Sequence, residues 1–266
     1  MRAFLEKSIT KDYFDDFVYI SKFPLIDLSV EIIDFDGSNV KFSLDKYNFD
    51  LKNDILIGSV EATCYFFKKC GIEEPKYLGY PKELKMFMHR KIQETTFSEL
   101  EEKSPFKFPY FIKPSNHVKL FTGSLLKSEK DYKFMKEFYP EISSDTELYI
   151  SEPINLISEY RCFVHKNELK GIQWYDGDFK EFPNSDIILE MIDAYKNVAP
   201  VSYTLDVGIY DDFDGLKMAL VEVNDFWAIG SYGFNGKDYV RMTIDRFREI
   251  YKQNLIIENN NKTTNK

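Results

Sequence analysis

The sequence predicts an α+β fold with more than one sheet, and three stretches carry that reading. Residues 54–75, DILIGSVEATCYFFKKCGIEEP, read as a strand, a Gly58-Ser59 turn and an amphipathic helix that stops at Gly71 and Pro75. Residues 147–178, ELYISEPINLISEYRCFVHKNELKGIQWYDGD, alternate for long enough to form two or three antiparallel strands. YTLDVGIYD and MALVEVND flank an Asp/Gly turn at Asp211 to Gly215, the pattern of a β-hairpin, and a closing helix follows from Asp238 to about Gln253.

Composition limits the class of protein. In 266 residues, 44% hydrophobic and 17% aromatic content fills the core of one large or two small domains. The 44 acidic and 35 basic residues leave a formal charge of −9, which argues against nucleic acid as a partner. Cys64, Cys70 and Cys162 have no metal-type spacing and read as reduced thiols, the first two facing the core of their helix. No apolar run approaches the roughly 20 residues that cross a bilayer, and no signal-type segment follows Arg2. The expectation is a cytoplasmic protein without a membrane partner.

Taken in order, the first 50 residues hold short strands (Phe17–Ile20, Val30–Ile33, Val40–Phe42) broken by Asp, Asn and Gly. The Gly58-Ser59 turn either caps the following helix or holds an anion on free N–H groups. A helix is expected from Lys82 to about Ile92, with Met86, Phe87 and Met88 inward and Arg90 near its end. Pro109 to Ile112 form an aromatic strand, and Lys113, immediately before Pro114, is thereby held extended. Lys113 and Lys119 frame a polar loop; they read either as solvated loop lysines or as a pair neutralising phosphate oxygens. A helix spans Lys130–Phe138, and Ser151-Glu152-Pro153 interrupts the next strand, leaving backbone groups that a ligand can use.

Further along, Glu159 and Arg161 share one strand face, as an ion pair or with Arg161 free for a phosphate or carboxylate. His165 reads as an exposed residue of the HKNEL turn, and neither His89 nor His117 belongs to a metal or triad pattern. Ser185–Val198 form an amphipathic helix. On the final strand Glu222 and Asn224 point the same way, and a hairpin brings Asp206 alongside them. Three oxygen donors so placed suit Mg²⁺ that also holds phosphates, whereas Glu222 and Asn224 alone read equally as a solvated strand end. The aromatics Phe226, Trp227, Tyr232 and Phe234 face either an acceptor or the core. Residues 256–266 are polar and Asn-rich, and disorder is expected there.

The order of these blocks, FIKP, FTG, SEP, EYR, LDVG and EVND, resembles the ATP-grasp superfamily, in particular a small divergent clade of phages, bacteria and some eukaryotes. The resemblance implies two α+β subdomains sandwiching ATP over residues 81–255, with a hinge near 150–154, behind a small N-terminal α/β domain at 1–80. It implies ATP and Mg²⁺ as cofactors and ATP-dependent joining of a carboxylate to an amine or thiol through an acyl phosphate. Lys113, Lys119 and, more loosely, Arg90 would contact phosphates. Ser151, Glu152 and Pro153 would read the adenine edge, Lys119 and Arg161 would act on the transferring group, and Asp206, Glu222 and Asn224 would hold the metal. The sequence departs from the superfamily after Asn224, where Asp225-Phe226-Trp227 precede Gly230, so the acceptor stays open among a small molecule, a peptide and a protein tail. A nucleotide-binding module without catalysis and a phosphotransferase on the same fold remain the alternatives. A basic lining beyond the phosphates would mark a carboxylate-rich acceptor.

Overall fold

The computed structural model describes residues 1–6, 28–33, 44–102, 109–115 and 120–264. The strands expected at Phe17–Ile20 and Val40–Phe42 fall outside the described residues, as do His117 and Lys119. Three sheets organise the chain. A parallel sheet has the order β2-β1-β3, from β1 (Arg2–Glu6), β2 (Ser29–Ile33) and β3 (Asp54–Ile57). Helix α1 (Val60–Lys69) follows β3. Its N-cap is Ser59, whose Oγ accepts from the N–H of Ala62 at 3.1 Å, while the Ser59 N–H donates to the Glu6 carboxylate at 2.6 Å. The Gly58-Ser59 turn is thus a cap whose anion is supplied by the chain itself.

The second sheet, β4-β7-β5-β6, is antiparallel: β4 (Ile92–Thr96), β5 (Tyr110–Pro114), β6 (Ser124–Leu126) and β7 (Glu147–Ser151), with α2 (Phe97–Glu102) and α3 (Glu129–Phe138) packed on it. The third, β11-β10-β8-β9, comprises β8 (Leu156–His165), β9 (Glu168–Gly177), β10 (Ser202–Asp212) and β11 (Gly215–Asp225), covered by α4 (Ser185–Tyr195). Both of its hairpin turns have two residues. Lys166 and Asn167 take positive φ of 51° and 61°, the requirement of a type I′ turn, and Gly215 at φ 112° closes the other.

Four expectations are corrected. The segment expected to be an α-helix from Lys82 to about Ile92 is a 3₁₀ turn at Lys82–Phe87, after which His89 turns the chain at φ 51°. With three residues per turn only i and i+3 share a face, so Leu84 and Phe87 are buried and Met86 is 73% exposed. His165 is buried, because its ring bonds Ser202 Oγ at 2.9 Å beneath the closing helix. Arg161 pairs across to β10 rather than with Glu159 on its own strand. The closing helix α5 (Gly236–Thr264) passes its expected end at Gln253, so the Asn-rich segment is helical up to Thr264. No Gly or Pro interrupts it, and lengthening an existing helix costs far less than nucleating one.

Helix α5 also unites the chain's ends. Phe247 lies 6.0 Å and 5.7 Å from Phe66 and Phe67 of α1, in one core with β1, β3 and α1. Phe226, Trp227 and Phe234 belong to this core, whereas Tyr232 is 51% exposed. No helix among the described residues is long and apolar enough to cross a membrane.

Candidate active site

The site is built where β5 of one sheet faces β10 and β11 of the other. Strand register sets it: Asp206 pairs with Glu222 across the hairpin and with Arg161 on the other side. A bulge follows, since Val207 pairs with Leu220 and skips Val221. Arg90 fills the bulge, donating to the carbonyls of Leu220 (2.8 Å), Val221 (2.9 Å) and Met88 (3.0 Å).

Five of the six expected side chains converge. Arg161 grips Asp206 through two parallel bonds, Nε to Oδ1 at 2.8 Å and Nη2 to Oδ2 at 2.6 Å. Asn224 Nδ2 donates to Asp206 Oδ2 at 2.9 Å and to Glu222 Oε1 at 3.2 Å, tying the carboxylates together. Lys113, extended ahead of Pro114, reaches across the cleft and pairs with Glu222 Oε2. The sixth, Lys119, is outside the described residues.

Sequence reasoning missed the tyrosines. Tyr77 donates to Glu222 Oε2 at 2.8 Å and accepts from Lys113, closing a half-buried triangle. The Lys113 ammonium sits over the Tyr77 and Tyr80 rings at 4.9 Å and 5.3 Å. The Arg161 guanidinium lies over Tyr232 at 4.7 Å and Tyr175 at 5.7 Å. These residues stand in loops or on a long strand with no local pattern; only tertiary placement brings them here.

Electrostatics distinguishes the carboxylates. Burial raises the Asp206 carboxyl above its ordinary value, opposed by the Arg161 guanidinium. Burial pushes Glu222 the same way, but the Lys113 ammonium with hydrogen bonds from Lys113, Tyr77 and Asn224 more than offsets it, and its pKa falls. Burial, reinforced by Glu222, raises the Tyr77 hydroxyl, so Tyr77 is a neutral donor. Burial also raises Glu159, which accepts from Tyr175 at 2.7 Å.

Two cavities meet at Lys113 and Glu222. The first, about 540 Å³, runs from Ser151-Glu152-Pro153-Ile154 past Tyr80 and Arg90 to that pair. The second, about 740 Å³, starts from the same pair and Asn224 and extends to Glu61, Tyr139 and Tyr232. A hard cation fits at their junction by donor chemistry: the Lys113 ammonium already takes a cation's place on Glu222, and Asn224, whose Nδ2 faces both carboxylates, adds an amide oxygen to the donor set. Asp206 stands behind them with both oxygens engaged by Arg161 and Asn224. No group of three His, Cys, Asp or Glu suited to a metal occurs among the described residues, so the set is two carboxylates and an amide.

Two facing α+β layers around a cleft of this kind define an ATP-grasp domain. A model of the "ATP-grasp domain, R2K clade family 2" matches residues 87–242, more than half of the chain, and the chain belongs to this family. No curated protein matches it in sequence. Among solved structures it is similar to D-alanine–D-alanine ligase from Bacillus anthracis (14% identity, 96% of this chain and 99% of that one, TM-score 0.55). It is also similar to a RimK domain ATP-grasp protein from Sphaerobacter thermophilus (11%, 93% and 98%, TM-score 0.54) and to D-cycloserine synthetase DcsG (10%, 93% and 99%, TM-score 0.55). At these identities the likeness is one of fold.

Proposed function

We propose that the protein is an ATP- and Mg²⁺-dependent ligase that joins a carboxylate to an amine. The observation that carries this reading is the shared wall: Lys113 and Glu222 close the end of one cavity and open the next. The first cavity takes ATP, with Ser151, Glu152 and Pro153 at the adenine edge and its triphosphate running toward Lys113. ATP phosphorylates the substrate carboxylate to an acyl phosphate, releasing ADP; the amine then forms the C–N bond as the acyl C–O bond to phosphate breaks. Glu222 and Asn224 would hold Mg²⁺, which would supply charge neutralisation of the phosphates.

The chain's own groups supply position and charge, which is most of what phosphoryl transfer asks of a protein. With a cation on Glu222, Lys113 would be released toward phosphate oxygens, while Tyr77 would keep its hydrogen bond to that carboxylate. Asp206 orients Asn224 and Arg161, and Arg161, buried against Asp206 and two tyrosine rings, supplies positive charge from behind the site. Arg90 holds the bulge that aims Glu222. Lys119, outside the described residues, is proposed as a further phosphate contact. Cytoplasmic residence agrees with the three reduced thiols.

The test is product analysis. Incubation with Mg·ATP and pooled carboxylates and amines is expected to release ADP and yield an amide. A stable phosphorylated product instead would make the protein a phosphotransferase. ATP bound without turnover across the pools would make it a binding module.

A further inference from the structure

We infer that Tyr77 is a positioning residue of the nucleotide site, supplied by the segment ahead of the ATP-grasp domain at residues 87–242, and that its hydroxyl couples the lysine for phosphate to the carboxylate for metal. The inference rests on the nucleotide and Mg²⁺ reading of Lys113 and Glu222, and it can fail while that reading stands.

Backbone pairing places the segment. Gly79 forms an isolated antiparallel bridge with Val223, whose N–H donates to the Gly79 carbonyl at 2.9 Å. The segment is thereby fastened to β11 at the residue between Glu222 and Asn224, while Leu78 packs against the core beneath the third sheet. Gly79 takes φ 51°, a conformation that favours glycine, and a Cβ there would lie 2.7 Å from the Tyr77 ring. Glycine at this position lets the ring fold back against the backbone, from where its hydroxyl reaches Glu222.

Proton accounting fixes what the hydroxyl does. Its one proton goes to Glu222 Oε2 at 2.8 Å, so toward Lys113 the ammonium donates and the hydroxyl oxygen accepts. A single oxygen thus joins groups from the two facing layers, Lys113 of β5 and Glu222 of β11. Asn224 holds the other carboxylate oxygen, Oε1, at 3.2 Å, so Tyr77 and Asn224 together orient the Glu222 carboxylate. The rings of the segment hold the lysine as well: its ammonium lies 4.9 Å from the Tyr77 centroid and 5.3 Å from that of Tyr80. Tyr80 in turn packs edge-on at 4.8 Å against Tyr149, the register partner of Lys113 on β7.

Calorimetric titration of the full chain with Mg·ATP tests the inference, on the native protein, Tyr77→Phe, Lys113→Met and the double variant, with urea unfolding confirming that each is folded. Tyr77→Phe keeps the ring and the Gly79–Val223 bond and removes the hydroxyl alone. It is expected to weaken Mg·ATP binding by about tenfold, the loss of a hydrogen bond to a charged group. In the Lys113→Met background the same change is expected to cost about threefold or less, because one of the two groups that the hydroxyl joins is gone. A residue that only fastens the segment would leave Mg·ATP affinity unchanged in Tyr77→Phe, and that result overturns the inference. An equal loss with and without Lys113 overturns it too. A native protein that binds no Mg·ATP overturns the nucleotide reading and this inference with it, whereas native binding with an unaffected Tyr77→Phe overturns the inference alone.

Discussion

Arg161 and Asp206 form a buried pair whose partners depend on each other. Arg161→Met strands the Asp206 carboxylate without a counter-ion and is expected to cost about 3–5 kcal/mol of stability. Adding Asp206→Leu should recover much of that loss, because two apolar groups replace two charges. A urea double-mutant cycle checks it; additive losses would mean that the pair is not coupled. Glu159 gives a pH dependence. Burial raises its pKa in the folded state, so its favourable contribution is present below the unfolded value and is lost as pH rises through the folded one. Glu159→Gln should therefore gain stability relative to the native protein as pH rises across that window, and a constant difference in urea unfolding would contradict the shift. At this scale Asp206, Glu222 and Asn224 were legible, since a period of two and one hairpin turn place them together. Arg161's partner was not legible, because it is set by the β8–β10 register, which joins strands 37 residues apart in its closing pair, Ser202 with His165.

Between elements, β9 packs against the loop after β11 through one close approach. Gly171 pairs with Phe163, whose ring stacks on Phe234 at 4.2 Å and 5°. A Cβ at Gly171 would lie 2.6 Å and 2.8 Å from the Phe234 ring, which is held in the core. Gly171→Ala is expected to destabilise by about 1–3 kcal/mol, read as a lower urea midpoint, and an unchanged midpoint would show that the ring moves freely. Strands with clear alternation and α1 with its Ser59 cap were readable from local pattern. The 3₁₀ turn at Lys82–Phe87 was not: its apolar residues suit an α-helix, and only the turn at His89 removes that option. The length of α5 was also hidden, because a polar composition read as disorder does not stop a helix already anchored at Phe247 and Ile250.

For the whole molecule, α5 and α1 share a core, so the wall of the site that carries Glu61 is tied to the sheet that carries Glu222. The order of blocks along the chain made the two-layered architecture legible, whereas the second cavity was not, since its lining comes from seven separate stretches between Glu61 and Tyr232. The claim on which the rest depends is that Lys113, Glu222 and Asn224 are arranged around a metal-bound nucleotide. Calorimetric titration of the native protein and of Lys113→Met with ATP, with and without Mg²⁺, tests it most directly. The expected result is one Mg²⁺-dependent site whose affinity falls by about tenfold or more in Lys113→Met. Absence of binding at concentrations that saturate a known ATP-grasp ligase, or equal affinity in the two proteins, would contradict it.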